Sequence, residues 1–435
     1  MGKGPKAMEI LKRKFHAISI NSKKIKKDDI FIAIKGLNFD GHDYINEAFK
    51  NGAIAAIISD EEKISKNTIL VNDTKKSLAD ISSLFLMKFK PFVIGITGSN
   101  GKTTTKELIK SILDSNYGTN KILATQANYN NDIGLPLTIF NLNSEHSHIV
   151  LEMGMNHPKE ISYLANIAPP NFAVITNIGE AHIENFKNRE AIANEKKDIL
   201  RNLKAEGIAI LPKDSEFFNF LVKDLKNVKV LSFGMRKDAD ISCELLDHKK
   251  ILIKTPKYDL EIKSKLLGHN NISNILAAVT CAYQLKINPT KIKEGIENIT
   301  PIPSRLELKE GKKRAAIIDD TYNANPSSFL SAIEVLNEFP GKKILVIGDM
   351  AELGENSRIY HQELSRSIKE TKIDITLGLG KYTKEIITLL GRNNSWFRSK
   401  DDLVKHLYSC MKGSTILVKG SRSMKMEEIV KKLIK

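Results

Sequence analysis

Three observations predict an α/β protein of three domains: a small N-terminal α/β domain, a central P-loop ATPase-like domain with a mostly parallel sheet, and a C-terminal Rossmann-like domain. Short apolar runs alternate with amphipathic stretches along most of the chain, as buried parallel strands alternate with crossover helices. The pattern is punctuated at Pro91 and again at Pro301 and Pro303, dividing the chain into residues 1–90, 91–303 and 304–435. A chain of 435 residues also exceeds what one ordinary hydrophobic core organises.

Each segment supports the division. In the first, residues 30–34 (Ile-Phe-Ile-Ala-Ile) read as a strand, 44–51 as an amphipathic helix and 53–58 as a buried strand. Met1–Lys6, with two glycines and a proline, reads as a loose tail. In the second, strands are expected at 92–97, 148–153, 173–177 and 207–211. The third restarts the alternation, with strands at 315–319, 343–347, 373–377 and 415–418 and a helical stretch at 328–338.

The richest signal is the run from Phe92 to Thr105. An apolar strand ends in Thr97-Gly98-Ser99-Asn100-Gly101-Lys102-Thr103-Thr104, and a helical pattern follows. Glycines let backbone N–H groups converge on phosphate oxygens, and the helix start adds partial positive charge. Lys102 can reach the β- and γ-phosphates of ATP, and the Thr103 hydroxyl can ligate magnesium. Strict Walker spacing would place glycine at 96, where the chain has Ile96, so the loop is the shorter Thr-Gly-x-x-Gly-Lys-Thr form.

An ATP site also needs metal ligands and a hold on a second substrate. Glu152 closes the apolar run Ile149-Val150-Leu151, and His182 follows the run ending at Asn177, both where parallel sheets build sites. Either is a magnesium ligand, or Glu152 is a solvated loop carboxylate and His182 a structural hydrogen bonder. Residues 127–136, with Asn128, Asn130, Asn131 and Asp132, are a polar turn or a set of substrate amides. In the third segment, polar residues follow three strands: Asp319 to Asn325, Gly348-Asp349, and Lys419 to Arg422. Three such ends suggest a ligand crevice facing the ATP domain.

Bulk composition narrows the class. The net charge is +16, from 67 basic and 51 acidic residues, but lysine is spread along the whole length and aromatics are sparse. That argues against a nucleic-acid-binding P-loop ATPase, which would cluster arginine, lysine and exposed aromatics. No apolar run approaches membrane-spanning length, no secretory signal is evident, and the three cysteines are scattered. The expectation is a cytoplasmic monomer with no stable membrane insertion and no nucleic-acid partner.

Together the motifs resemble the Mur ligases of peptidoglycan synthesis, from about Asn21 to the C-terminus. The most discriminating pieces are Asn128-x-Asn130-Asn131-x-x-Gly134-x-Pro136, Asp319-Asp320-x-Tyr322-Asn323-Ala324-Asn325-Pro326 and Gly348-Asp349-Met350-x-Glu352-Leu353-Gly354. The resemblance implies an ATP-dependent amide ligase. ATP would phosphorylate the terminal carboxylate of a UDP-N-acetylmuramoyl-tripeptide, and the amine of D-alanyl-D-alanine would attack the acyl phosphate. It implies two magnesium ions, with Thr103 and Glu152 serving the first and His182 the second. Lys196, in Asn194-Glu195-Lys196-Lys197-Asp198, aligns with a carbamylated lysine on the metal side, although Lys197 beside it offers an adjacent register. Lys102, His182 and Lys196 form the implied catalytic set.

The same resemblance assigns Asn271 and Asn274 to the adenine and Arg305 to an interdomain hold on the nucleotide. Asn130 and Asn131 would face the muramoyl peptide, and Asn323, Asn325 and Lys419 would lie near ATP or the dipeptide. Ser22 belongs to a uridine-recognition stretch. One departure stands out: Asn21-Ser22-Lys23 replaces the family's Asp-Ser-Arg, and lysine lacks arginine's bidentate fork. Asn270 also stands where the adenine motif has histidine, and the segment before Asn21 is shorter than usual. A sister ligase adding another amino acid, a folate polyglutamate ligase and a small-molecule kinase are the competing readings within ATP chemistry.

Overall fold

The computed structural model describes residues 15–247 and 250–435; the Met1–Lys6 tail lies outside them. Four sheets account for the described strands. The first is parallel and four-stranded, ordered as in sequence: Ile18–Ser19, Ile30–Ile32, Ala55–Ile58 and Thr68–Leu70. Period-two alternation gives it two buried faces. Ile30, Ile32, Ala55 and Ile57 share a core with Leu78 and Ile81 of helix Thr74–Phe89. Phe31, Ala56 and Ile58 pack with Ile45 and Ala48 of helix Ile45–Lys50.

The second sheet has six parallel strands, ordered Lys229–Phe233, Ile208–Pro212, Phe172–Ile175, Phe92–Thr97, His148–Glu152 and Ile122–Ala124. Helices Lys102–Tyr117 and His269–Gln284 cover one face through Leu108, Ile112, Ile275 and Leu276. Helices Glu160–Ile167 and Arg189–Arg201 cover the other through Ile161, Leu164, Ile192 and Ile199. Strand Phe92–Thr97 lies between two strands that follow it in sequence, so the chain departs in opposite directions at its C-terminal end. Such a switch point opens a crevice.

The third sheet, antiparallel and three-stranded at Ser242–Leu245, Lys250–Lys254 and Asp259–Lys263, was not anticipated from the sequence. Its Ile251, Ile253, Leu260 and Ile262 extend the central core. The fourth is ordered Glu307–Glu310, Ala316–Asp320, Thr415–Lys419, Lys343–Gly348, Ile375–Leu379 and Ser395–Phe397. Only its first strand runs antiparallel. Every strand expected from the sequence is present, its ends moved by a residue or two.

Candidate functional site

The loop after strand Phe92–Thr97 takes a shape that its two glycines permit. Gly98 and Gly101 have φ of +155° and +81°, and a Cβ on either would collide with Thr176 Oγ1 or the Asn274 amide. The loop is also pinned by its neighbours. Asn177 Oδ1 accepts from the Asn100 N–H at 2.9 Å, its Nδ2 donates to the Asn100 carbonyl at 3.0 Å, and Thr176 Oγ1 donates to the same oxygen at 2.5 Å. Ser99 Oγ accepts from Gly179 N–H at 2.8 Å. Asn177 was passed over as a site residue, and its signal was only its place at the strand's end.

Lys102 opens the helix, and its Nζ folds back to donate to the Gly98 carbonyl at 2.7 Å. Burial pulls its ammonium below the usual lysine range; Arg305 adds to this and Glu152 opposes it. Thr103 Oγ1 donates to Glu152 Oε2 at 2.9 Å, while Asn130 Nδ2 donates to Glu152 Oε1 at 2.8 Å. Glu152 is buried. Thr103 Oγ1 also accepts from Arg305 Nη2 at 3.1 Å, across the domain boundary.

These groups face a cavity of about 410 Å³ between the central and C-terminal sheets. Ser99 to Thr104, Asn130, Asn131, Glu152, His182, Asn271 and Asn274 line it from the central side. Arg305, Asn323, Asn325 and Lys419 line it from the other. Thr97, which ends the strand, and Gly98, which opens the loop, are outside this lining, and Thr97 Oγ1 is buried without a hydrogen-bond partner among the described residues. Asn271 and Asn274 are joined to each other at 3.0 Å, and Thr105 Oγ1 donates to Asn274 Oδ1 at 3.2 Å.

Lys196 and Lys197 point to opposite environments. Lys197 Nζ donates to the Phe220 and Lys223 carbonyls at 2.8 and 2.6 Å, tying its helix to a surface segment. Lys196 is 1% exposed and is not among the residues lining the cavity, with no hydrogen bond or ion pair to its Nζ among the described residues. Burial first, then repulsion from Lys102, hold its pKa well below the ordinary value, against the pull of Glu195. Glu195 itself accepts the Lys159 and Ile161 N–H groups at 2.8 and 3.0 Å.

Other expected residues are engaged locally. Asn131 Oδ1 accepts from the N–H of Gly134, the first residue of helix Gly134–Ile139, at 2.8 Å. Asn325 caps helix Pro326–Glu338, accepting from Ser328 N–H at 2.9 Å, and donates through Nδ2 to Asn100 Oδ1 at 2.8 Å. Lys419, only 2% exposed, donates to Asp320 Oδ2 at 2.5 Å and to the Asn323 carbonyl at 3.0 Å. His182 Nδ1 lies 2.7 Å from Glu352 Oε2 of the C-terminal domain, and that hydrogen bond holds the Glu352 carboxyl below its usual range. Ser22 is not brought to this cavity; it is buried in the N-terminal domain, where Oγ donates to Glu47 Oε2 at 2.5 Å.

A phosphate-type loop at a switch point, closed over by a second Rossmann-like sheet, defines an enzyme that brings a nucleotide and further reactants together between domains. Three family models divide the chain: "Mur ligase family, catalytic domain" over residues 14–85, "Mur ligase middle domain" over 96–282 and "Mur ligase, glutamate ligase domain" over 304–422. The chain belongs to the Mur ligase family. It is 38% identical over 430 residues to the UDP-N-acetylmuramoyl-tripeptide–D-alanyl-D-alanine ligase of Buchnera aphidicola subsp. Baizongia pistaciae, covering 97% of this chain and 92% of the relative. Its fold matches a crystal structure of MurF from Acinetobacter baumannii with a TM-score of 0.89 at 31% identity, over 95% of this chain and 92% of that one. MurF from Thermotoga maritima in complex with ADP matches at 0.86 and 31%, over 96% of each.

Proposed function

We propose that this chain joins D-alanyl-D-alanine to UDP-N-acetylmuramoyl-tripeptide at the expense of ATP, in peptidoglycan precursor synthesis. The observation that carries the reading is the single cavity in which Lys102, Thr103 and Glu152 face the Asp320–Asn325 segment of the other sheet. Residues 1–90 recognise the UDP end, 91–303 hold ATP, and 304–435 bring the dipeptide. The three free cysteines suit a reducing cytoplasm. Among the described residues, no helix is long and apolar enough to cross a membrane.

The tripeptide's terminal carboxylate attacks the γ-phosphorus of ATP, ADP leaves, and the product is an acyl phosphate. The dipeptide amine then adds to the acyl carbon, and the tetrahedral adduct expels phosphate to leave the amide. Positioning and charge neutralisation supply the acceleration. Lys102 swings from the Gly98 carbonyl onto the β- and γ-phosphates. Arg305 draws the C-terminal domain onto the same charge, and Asn271 and Asn274 hold the adenine.

The donor set suits magnesium: an adjacent hydroxyl and buried carboxylate leave coordination places for phosphates and water, as this ion prefers. Thr103 and Glu152 would hold one ion, which neutralises phosphate charge when bound, and His182 would serve a second once released from Glu352. Burial favours the uncharged form of the Lys196 amine, and in that form it can add to carbon dioxide and lose a proton, giving an anionic carbamate beside Lys102. Burial lowers the pKa of both lysines, but that of Lys196 further, and of the two only Lys196 lacks a hydrogen-bond partner among the described residues, which supports Lys196 over Lys197.

Phosphate release from ATP with UDP-N-acetylmuramoyl-tripeptide, with and without D-alanyl-D-alanine, tests the reading. Release should depend on the dipeptide and not be supported by glutamate or another single amino acid. Release that ignores the dipeptide would instead indicate a kinase or a hydrolase. Running the assay with diaminopimelate and lysine tripeptides identifies the third residue.

A further inference from the structure

We infer that Tyr322 is a positioning residue for the nucleotide site, acting through Arg305. The inference rests on the proposed ATP-dependent reaction. Arg305 is the one cationic side chain of the C-terminal segment bonded to Thr103 among the described residues, and its orientation is imposed by two features. The guanidinium carbon lies 4.0 Å from the centroid of the Tyr322 ring, within cation–π range. The backbone around Arg305 is bent hard: Ser304 and Leu306 on either side have φ of +58° and +52°. Left-handed geometry at a leucine is costly and persists only where the surroundings enforce it.

The enforcing contacts come chiefly from the strand Ala316–Asp320 and the residues just after it, with Glu307 Oε2 also accepting from the Ser304 N–H at 3.1 Å. Asp320 Oδ1 accepts from the Leu306 N–H at 3.1 Å, and Asp319 Oδ2 accepts from Ser304 Oγ at 3.3 Å. The Tyr322 N–H donates to the Ser304 carbonyl at 3.1 Å. Lys419 holds the other oxygen of Asp320. The linker is therefore fastened to the segment that carries the ring, and guanidinium and ring are presented to each other in one geometry. A flexible arginine confined to one plane aims its fork at a fixed point. Here that point is Thr103, at the mouth of the phosphate loop. The Tyr322 hydroxyl makes no hydrogen bond among the described residues and the residue also lines the cavity, so the test has to separate the ring from the hydroxyl.

A double-mutant cycle on the full chain tests this, read as the KM for ATP in the ligation assay and as ADP affinity by calorimetry. Tyr322→Leu should raise the ATP KM and weaken ADP by about tenfold, with the KM for the dipeptide unmoved. Tyr322→Phe should stay within about twofold of wild type, because the π-face is kept. In an Arg305→Ala background, Tyr322→Leu should add nothing further. Tyr322→Met is run beside the Leu variant, and the cycle is read from whichever keeps the wild-type melting temperature. Additive losses would overturn the inference and mean that the ring touches the nucleotide itself; a tenfold loss in Tyr322→Phe would overturn it by making the hydroxyl the active group. A wild-type chain that binds ADP but fails to ligate would instead count against the proposed reaction, and the calorimetric cycle would still decide the role of Tyr322.

Discussion

On the central wall of the cleft, Lys102 bonds only to carbonyls of its own loop, and Thr103 and Glu152 bond side by side facing the cavity. On the C-terminal wall, Lys419 is locked to Asp320, Asn325 caps a helix, and the Asn323 side chain accepts from the Ala324 N–H at 2.9 Å. Both walls carry lysine, asparagine and carboxylate at strand ends. In the proposed reaction the first set exchanges partners for a ligand, whereas the second mainly holds its own segment in shape and, through Asn325, meets Asn100 of the loop. A polar residue at a strand end therefore identifies a crevice without saying whether its side chain works on the ligand or on the backbone that meets it.

Substitutions should separate the walls. Lys102→Ala removes the charge proposed to neutralise phosphate, and its own bonds reach only its loop, so kcat should fall by about a thousandfold with little change in the melting curve. A loss of stability instead would erase the contrast. Lys196→Ala should lower turnover by roughly a hundredfold, with partial rescue by a short-chain carboxylate. Lys197→Ala should spare turnover of the folded enzyme and lower its melting temperature, because Lys197 bonds to Phe220 and Lys223. Equal behaviour of the two lysines would refute the assignment to Lys196.

Lys419→Met should act in the opposite sense to Lys102→Ala. It strands Asp320, which is only 14% exposed, and should destabilise the C-terminal domain by about 2–3 kcal/mol in denaturant unfolding. An unchanged midpoint with lost activity would make Lys419 a direct ligand of substrate. The smallest effect concerns His361, which accepts the Met350 N–H at 3.0 Å through Nε2 and is held below its ordinary pKa chiefly by burial. The folded state keeps it neutral while the unfolded state takes up a proton, so its contribution is present above pH 6.5 and is lost as pH falls through the folded value. His361→Asn should flatten that acid dependence in thermal melts; an unaltered slope would place the titration elsewhere.

The phosphate loop was legible because its chemistry is local: glycine, lysine and hydroxyl residues occur in the order in which the backbone presents them. The parallel strands were legible for a similar reason, since burial on both faces leaves continuous apolar runs. The small antiparallel sheet was missed although Lys250–Lys254 alternates in the expected way, because its strands are only four or five residues long. Asn128 to Asp132 stayed undecided between turn and ligand; Asn131 bonds the Gly134 N–H within the turn, and Asn130 bonds Glu152. The Tyr322–Arg305 and His182–Glu352 pairs join residues distant in sequence, and no spacing rule reports such meetings.

The central claim is that the cavity passes phosphate from ATP to a carboxylate before an amine arrives. Oxygen-18 placed in the terminal carboxylate of the tripeptide follows that step directly. Amide formation through an acyl phosphate predicts that the released phosphate carries one labelled oxygen from the carboxylate in each turnover, with the remainder of the label in the new amide. Unlabelled phosphate accompanying full amide product would contradict the account, because the carboxylate would then never have been phosphorylated.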